Sequence, residues 1–246
     1  MKRIGIVAHS AEGGALCFIT ACREGQRLLG AHMHPEIVVS AVPMARSMAG
    51  WRSGDHAAVA DSLRLGVEMV ARAGADFFVC SDNTAHIVLE QIVDSLPIPG
   101  LHIAQVVCHE ISAAGWGTAG LLGTNWTMTG PVYEAALRAR GLARLVPDEA
   151  TRERLDRAIF EELCLGRFEQ PTTALFVEAI HGLAAAGADC VILGCTEIPL
   201  IIDERNSPLP ALDSTRLLAR HAVQVALSEE PLPAAGAWID PARARD

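Results

Sequence analysis

The sequence predicts an α/β protein of two pseudo-symmetric lobes, each a mostly parallel sheet flanked by helices. Three observations carry that expectation. Short β-rich runs alternate with longer segments of helical period, which is the pattern of folds built on parallel sheets. Half of the 246 residues are apolar, enough to bury a substantial core. Finally, "GADFFVCSDNT" from Gly74 and "GADCVILGCTE" from Gly187 echo each other at a constant offset of 113 residues.

In chain order, the strands are expected at "RIGIVAH" (3–9), "EIVVSAV" (36–42), "DFFVCS" (76–81), "GTAGLLGT" (117–124), "ARLVP" (143–147) and "DCVILGC" (189–195). Helical spacing of apolar residues marks "HAAVADSLRLGVEMVARAG", which stops at Gly74 as a helix-terminating glycine would. "TRERLDRAIFEELCLG" and "TALFVEAIHGLAAAG" stop in the same way at Gly166 and Gly187. The lobes are expected at 1–100 plus about 212–228 and at 101–211. The tail 229–246 is rich in Pro, Ala and charge without periodicity, so it is expected to be loosely held.

The formal charge of −9, with acidic and basic residues interleaved, offers no basic stripe to follow phosphates, so a nucleic-acid partner is not expected. The seven cysteines form no CxxC pair, no metal-like spacing with histidine and no disulfide scaffold, which fits a reducing cytoplasm. The opening "MKRIGIVAHSAEGG" reads as a first strand and not as a signal peptide, because His9 and Glu12 interrupt its apolar stretch. With no run of 18 apolar residues, no membrane span is expected. "GTAGLLGT" lacks the dinucleotide glycine spacing, and neither a phosphate loop nor a metal site emerges.

The repeat places Asp82 on Cys195 and Asn83 on Thr196, whereas Cys80 falls on Leu193 inside the strand. A looser echo joins 3–10 to 118–125 at an offset of 115. Ligands of open parallel sheets gather beyond the carboxyl ends of the strands. Two lobes facing each other across a cleft would converge the turns after residues 8, 80, 123 and 194, delivering Asp82 from one wall and Cys195 from the other. Removing a proton from one face of a carbon and returning it to the other face needs two such groups.

"DNTAH" and "LGCTEIPL" resemble the two signature turns of the aspartate/glutamate racemase superfamily, and "GLLGT", "TMTGPVY", "EEL" and "LDST" sit where that family would have them, over roughly residues 3–225. The resemblance implies inversion of amino acids without a cofactor, an active site between the lobes, and a homodimer. In that family a cysteine usually precedes the Asn-Thr of the first turn; here Asp82 stands there, paired with Cys195. The resemblance also implies that residues matching Asn83, Thr84, Thr124 and Thr196 bind the substrate α-carboxylate, that Arg46 and Arg167 lie roughly where relatives keep cations for a second carboxylate, and that His86 and Glu197 orient the catalytic pair. "AHSAEGG" replaces the family's Gly-Gly-Met-Ser type loop, which puts His9 and Ser10 against the substrate, a small amino acid or dicarboxylate.

Each of these residues has a plainer reading. Asp82 and Thr124 are favoured helix caps, His86 suits a helix face, His9 suits a packed loop, and Arg46 and Arg167 suit a solvated surface. The other cysteines, at 17, 22, 80, 108, 164 and 190, read as buried structural residues. Cys195, at a strand end before a presumed helix start, is expected to favour thiolate through the helix dipole. From ordinary pKa values of about 3.9 and 8.5, the pair should rest as carboxylate and thiol, and exchanging their roles costs roughly 6 kcal/mol. That asymmetry keeps one-way chemistry on the same scaffold open: decarboxylation, cis-trans isomerisation or hydrolysis relying on Cys195. A non-catalytic binder of small acids is the third reading.

Overall fold

The computed structural model describes residues 1–244. In chain order its elements are β1 (Ile4–Ala8), α1 (Ala11–Leu29), β2 (Ile37–Ala41), α2 (Ala45–Ser53), α3 (His56–Arg72), β3 (Phe77–Cys80), α4 (His86–Ile92), β4 (Gly100–Leu101) and α5 (Ile103–Ala113). There follow β5 (Thr118–Gly123), α6 (Asn125–Thr129), α7 (Pro131–Arg138), β6 (Ala143–Leu145), α8 (Glu149–Glu161), α9 (Gln170–Ala185), β7 (Cys190–Gly194), β8 (Ala211–Asp213), α10 (Ser214–Leu227) and β9 (Trp238–Ile239). Two compact units result, Met1–Val106 with Thr215–Asp246, and Val107–Ser214.

The first unit carries a parallel sheet in the order β2-β1-β3-β4-β9, and the second a parallel sheet in the order β6-β5-β7-β8. Apart from β9, the two orders are the same. β1, β3, β5 and β7 are central strands buried almost throughout, which explains why they read as continuous apolar runs and not as alternating ones. In the first unit Ile4, Ile6, Phe77 and Val79 pack with Leu218, Ala222 and Val223 of α10. Each such buried Ile, Leu, Val or Phe side chain contributes about 2 kcal/mol.

The shared Gly-Ala-Asp has a structural reason in both units. Gly74 and Gly187 follow the ends of α3 and α9 with φ of 88° and 95°, a region that glycine occupies without steric cost. The alanines are buried. Asp76 then accepts a hydrogen bond from Arg3 N at 2.6 Å, and Asp189 accepts from Gly117 N and Thr118 N at 2.8 Å each. In each unit, therefore, the aspartate before the third strand ties down the start of the first.

Two corrections concern the chain's short strands. β4, β8 and β9 were not foreseen; β4 and β9 are two residues each, too few to express a period, and β8 is a three-residue strand outside the expected segments. The tail, expected to be loosely held, places β9 in parallel beside β4, with Trp238 packed on Phe78 at 5.9 Å between ring centroids. The Pro/Ala composition around it hides one aromatic and one aliphatic side chain that complete the sheet edge. Among the described residues, no helix is long and apolar enough to cross a membrane.

Candidate active site

In each unit the chain reverses its direction of travel across the sheet between the first and third strands, the place where parallel sheets bind ligands. In the first unit Val7 of β1 pairs with Cys80 of β3. Two residues beyond each, His9 and Asp82 meet: His9 Nδ1 lies 2.6 Å from Asp82 Oδ2. On its other side His9 Nε2 lies 2.7 Å from Ser47 Oγ, which in turn lies 3.0 Å from the Met44 carbonyl. Ser47 is fully buried, the His9 side chain is 3 % exposed and that of Asp82 is 22 % exposed. The chain of hydrogen bonds thus runs from a sealed hydroxyl to an accessible carboxyl group. This order suits an acid/base carboxylate and leaves the serine no access to act as a nucleophile.

The backbone of Asp82 is held as firmly as its side chain. Asp82 Oδ1 accepts from Ala85 N at 3.2 Å, so the aspartate caps the turn leading into α4, and His86 Nδ1 donates to the Asp82 carbonyl at 2.9 Å. His86 Nε2 accepts from Ile103 N at 3.4 Å. Those two bonds require a neutral ring, and burial, reinforced by the neighbouring His102, pushes the His86 pKa down to about 3. Burial pushes the Asp82 carboxyl up, but the His9 hydrogen bond and charge, Ala85 N–H and His86 together hold it below the usual carboxylate range. Cys80 sits inside β3, where burial and the charge of Asp82 push its thiol far up, so it has no acid/base role near neutrality.

The remaining predicted residues of this unit divide. Asn83 and Thr84 are buried in the turn after Asp82. Ser10 caps α1, accepting from Gly13 N at 3.1 Å. Arg46 is exposed on the first turn of α2, next to Ser47. Ser47 itself was missed, and the only available signal was its adjacency to Arg46 in "VPMARSMAG".

In the second unit Gly123 of β5 pairs with Gly194 of β7, and Thr124 and Cys195 follow them. A Cβ on Gly194 would lie 2.8 Å from the Leu122 carbonyl, which is why this strand end carries no side chain. Thr124 accepts from Thr127 N at 3.1 Å and caps α6, so the capping reading holds for it. Cys195 Sγ donates to Glu197 Oε2 at 3.0 Å, and Thr196 Oγ1 donates to the same oxygen at 2.6 Å. Cys195 is 8 % exposed and Glu197 is 1 % exposed, its Oε1 having no hydrogen-bond partner among the described residues.

This geometry corrects the thiolate expectation. The residues after Cys195 form only a 3-10 turn, Ile198–Leu200, too short for a helix dipole to act on the sulfur. Burial, followed by the charge of Glu197, instead pushes the Cys195 thiol well above its ordinary value, so it rests protonated. Arg167 is exposed and donates to the Glu161 carbonyl at 2.5 Å, closing the end of α8. Of the cysteines read as buried, Cys164 is only half-buried.

Two parallel α/β units of the same strand order, each with a titratable side chain just beyond its third strand, have the architecture of the amino-acid racemases. The sequence signature of the Asp/Glu/Hydantoin racemases matches residues 16–222, and the chain belongs to that family. It is 27 % identical over 174 residues to the broad specificity amino-acid racemase RacX of Bacillus subtilis (strain 168), covering 71 % of this chain and 75 % of that one. A candidate Asp/Glu racemase from Yersinia pestis superposes with a TM-score of 0.83 at 30 % identity, covering 93 % of this chain and all of the other (100 %). An aspartate racemase homologue from Pyrococcus horikoshii OT3 gives a TM-score of 0.78 at 27 % identity over 93 % of this chain and 100 % of that one. The resemblance drawn from "DNTAH" and "LGCTEIPL" is thereby borne out, as are the fold class and the racemase activity class.

Proposed function

We propose that this chain inverts the Cα centre of a small amino acid, without a cofactor, using Asp82 and Cys195 as the acid/base pair. The observation that carries the reading is their equivalence. Each follows the third strand of its unit, at an offset of 113 residues, and each is held by hydrogen bonds in the protonation state that the other lacks. Asp82 as carboxylate takes the Cα proton while the Cys195 thiol gives one to the opposite face, leaving a carboxylic acid and a thiolate. Proton exchange with solvent restores the first form for another turnover, and the second form is the one that the other enantiomer enters in the reverse direction. Asn83 and Thr84, with the backbone N–H of Thr196, supply donors for the α-carboxylate, whose charge grows as the Cα proton leaves. The Bacillus subtilis relative is a broad specificity amino-acid racemase, which supports a substrate range wider than aspartate and glutamate. A second copy of the chain completes the working homodimer.

One observation favours a second reading. Asp82 is shifted down and Cys195 up, so the structure widens the gap between them and makes exchange of roles harder. That suits a one-way reaction in which Cys195 only donates, as after decarboxylation or during cis-trans isomerisation. Incubation in D₂O with both enantiomers of each common amino acid, followed by proton NMR, separates the two. Racemisation gives Cα deuterium from both enantiomers; general acid/base groups contribute about 10²–10⁴-fold, so Asp82→Asn and Cys195→Ala should each lose at least a hundredfold. Native exchange in both variants would rule the pair out.

A further inference from the structure

The C-terminal segment lies beyond the part of the chain that matches the family, residues 16–222, yet it reaches the turn that carries Asp82. Trp238 of β9 stacks on the His86 ring with centroids 5.9 Å apart and an interplanar angle of 28°, and it meets the His102 ring edge-on at 4.7 Å. His86 is the residue that donates to the Asp82 carbonyl. We propose that Trp238 is a positioning residue for Asp82, the C-terminal strand acting as a buttress that keeps His86 dry, neutral and in place behind the acid/base turn. This rests on the reading of Asp82 as an acid/base group.

The seat for this strand is built on both sides. Gly100 of β4 donates to the Ala237 carbonyl at 3.1 Å, and a Cβ on Gly100 would lie 2.5 Å from Phe78 Cζ and 2.7 Å from Trp238 Cζ3. Only glycine admits the indole there. Gly236, with φ of 79°, rests against the backbone of Asp94, where a Cβ would meet the Asp94 carbonyl at 2.8 Å. Two glycines, one in β4 and one in the turn before β9, are thus required for the tail to reach the His86 ring, which a merely adhering terminus would not need.

The chemistry follows from hydrogen-bond accounting. His86 can donate from Nδ1 to Asp82 and accept at Nε2 from Ile103 N only as a neutral imidazole. An imidazolium would turn Nε2 into a donor facing the N–H of Ile103, and the ring would have to leave. The groups that face His86 are Asp82, whose charge favours protonation, and His102, which opposes it. His102 is itself fixed, with Nε2 3.0 Å from Glu90 Oε1 and Nδ1 accepting from Ala104 N at 3.2 Å. Burial is the largest influence keeping His86 neutral, and Trp238 covers one face of its ring. Opening that face lets water in, raises the proton affinity of the ring, and frees the Asp82 backbone.

The test uses the whole 246-residue chain with Trp238→Ala and Trp238→Phe, the turnover probe being Cα deuterium exchange on the best substrate among the nineteen chiral common amino acids, each as both enantiomers. Displacement of a catalytic group by about 1 Å can cost roughly a hundredfold. Trp238→Ala should therefore lower kcat tenfold to a hundredfold with KM changed less than twofold. The loss should deepen as the pH falls from 8 to 6, and Trp238→Phe should recover most of it. Histidine NMR should show the His86 ring beginning to protonate in that range in the alanine variant and staying neutral in the native protein. If Trp238→Ala fails to fold, Trp238→Leu, which keeps apolar bulk without a ring, carries the same measurements. A pH-independent loss that tracks the folded fraction, or a His86 ring that stays neutral in the variant, overturns the proposal. Native turnover in Trp238→Ala alongside lost turnover in Asp82→Asn overturns the buttress alone. Native turnover in Asp82→Asn overturns the acid/base reading and the buttress with it.

Discussion

Replacing Glu197 with glutamine removes one negative charge beside Cys195 while keeping the side chain's shape. The carboxylate oxygen lies 3.0 Å from the sulfur. At an effective dielectric constant of about 20, two unit charges at that distance interact by roughly 5 kcal/mol. Cys195 keeps 8 % exposure and Thr196 draws on the same oxygen, so about a third of that is taken to survive. The remainder, about 1.5–2 kcal/mol, corresponds to a roughly tenfold to thirtyfold gain in thiolate at a given pH. The direction follows from the native shift: a thiol pushed up stays protonated to higher pH, so its reactivity appears late in a pH series, and loss of the charge brings it earlier. Iodoacetamide alkylation of Cys195, measured by peptide mass spectrometry between pH 7 and 10, reads this directly. At pH 8 the glutamine variant should react at least tenfold faster than the native protein. Equal rates across the range, with unchanged melting temperatures, would refute the assignment of Glu197 as the charge that holds Cys195 protonated.

Other outcomes follow from the same geometry. Ser47→Ala removes the hydroxyl 2.7 Å from His9 Nε2 and leaves a buried ring nitrogen without that partner, which should cost about 1–2 kcal/mol in a urea titration and slow Cα exchange about tenfold. Asp189 is held below the usual carboxylate range first by Thr118 N–H and then by Gly117 N–H. Its contribution to stability is therefore complete above a pH of about 4 and drains away as the pH falls through the folded-state value. Thermal melts of Asp189→Asn should accordingly show a flatter pH dependence between about pH 4 and pH 2 than those of the native protein.

The parts of the fold that could be read from the sequence are those whose cause is local. β1, β2, β3, β5 and β7 fall inside the expected segments because each is a largely apolar or β-branched run; β6, with Arg144 at its centre, falls inside its segment as well. β9 was hidden because its membership of the sheet depends on Gly100 and Gly236, which lie far apart in sequence and matter only through space. At the candidate site, Asp82 and Cys195 could be aligned because the strands before them repeat. Ser47 could not, since only folding brings it to His9, 38 positions away. The direction of the Cys195 shift, though not its resting state as a thiol, was misjudged because the sequence placed a helix start after it, whereas Pro199 and its neighbours make a three-residue turn and Glu197 lies against the sulfur.

The pinning of strand starts by Asp76 and Asp189 bears on how such a protein can change. Strand starts are secured at one rim of each unit, away from the rim that carries Asp82 and Cys195. At that other rim one unit holds a carboxyl beside a histidine and the other a sulfur beside a glutamate. Side chains there can differ between the two halves while the strand starts stay fastened.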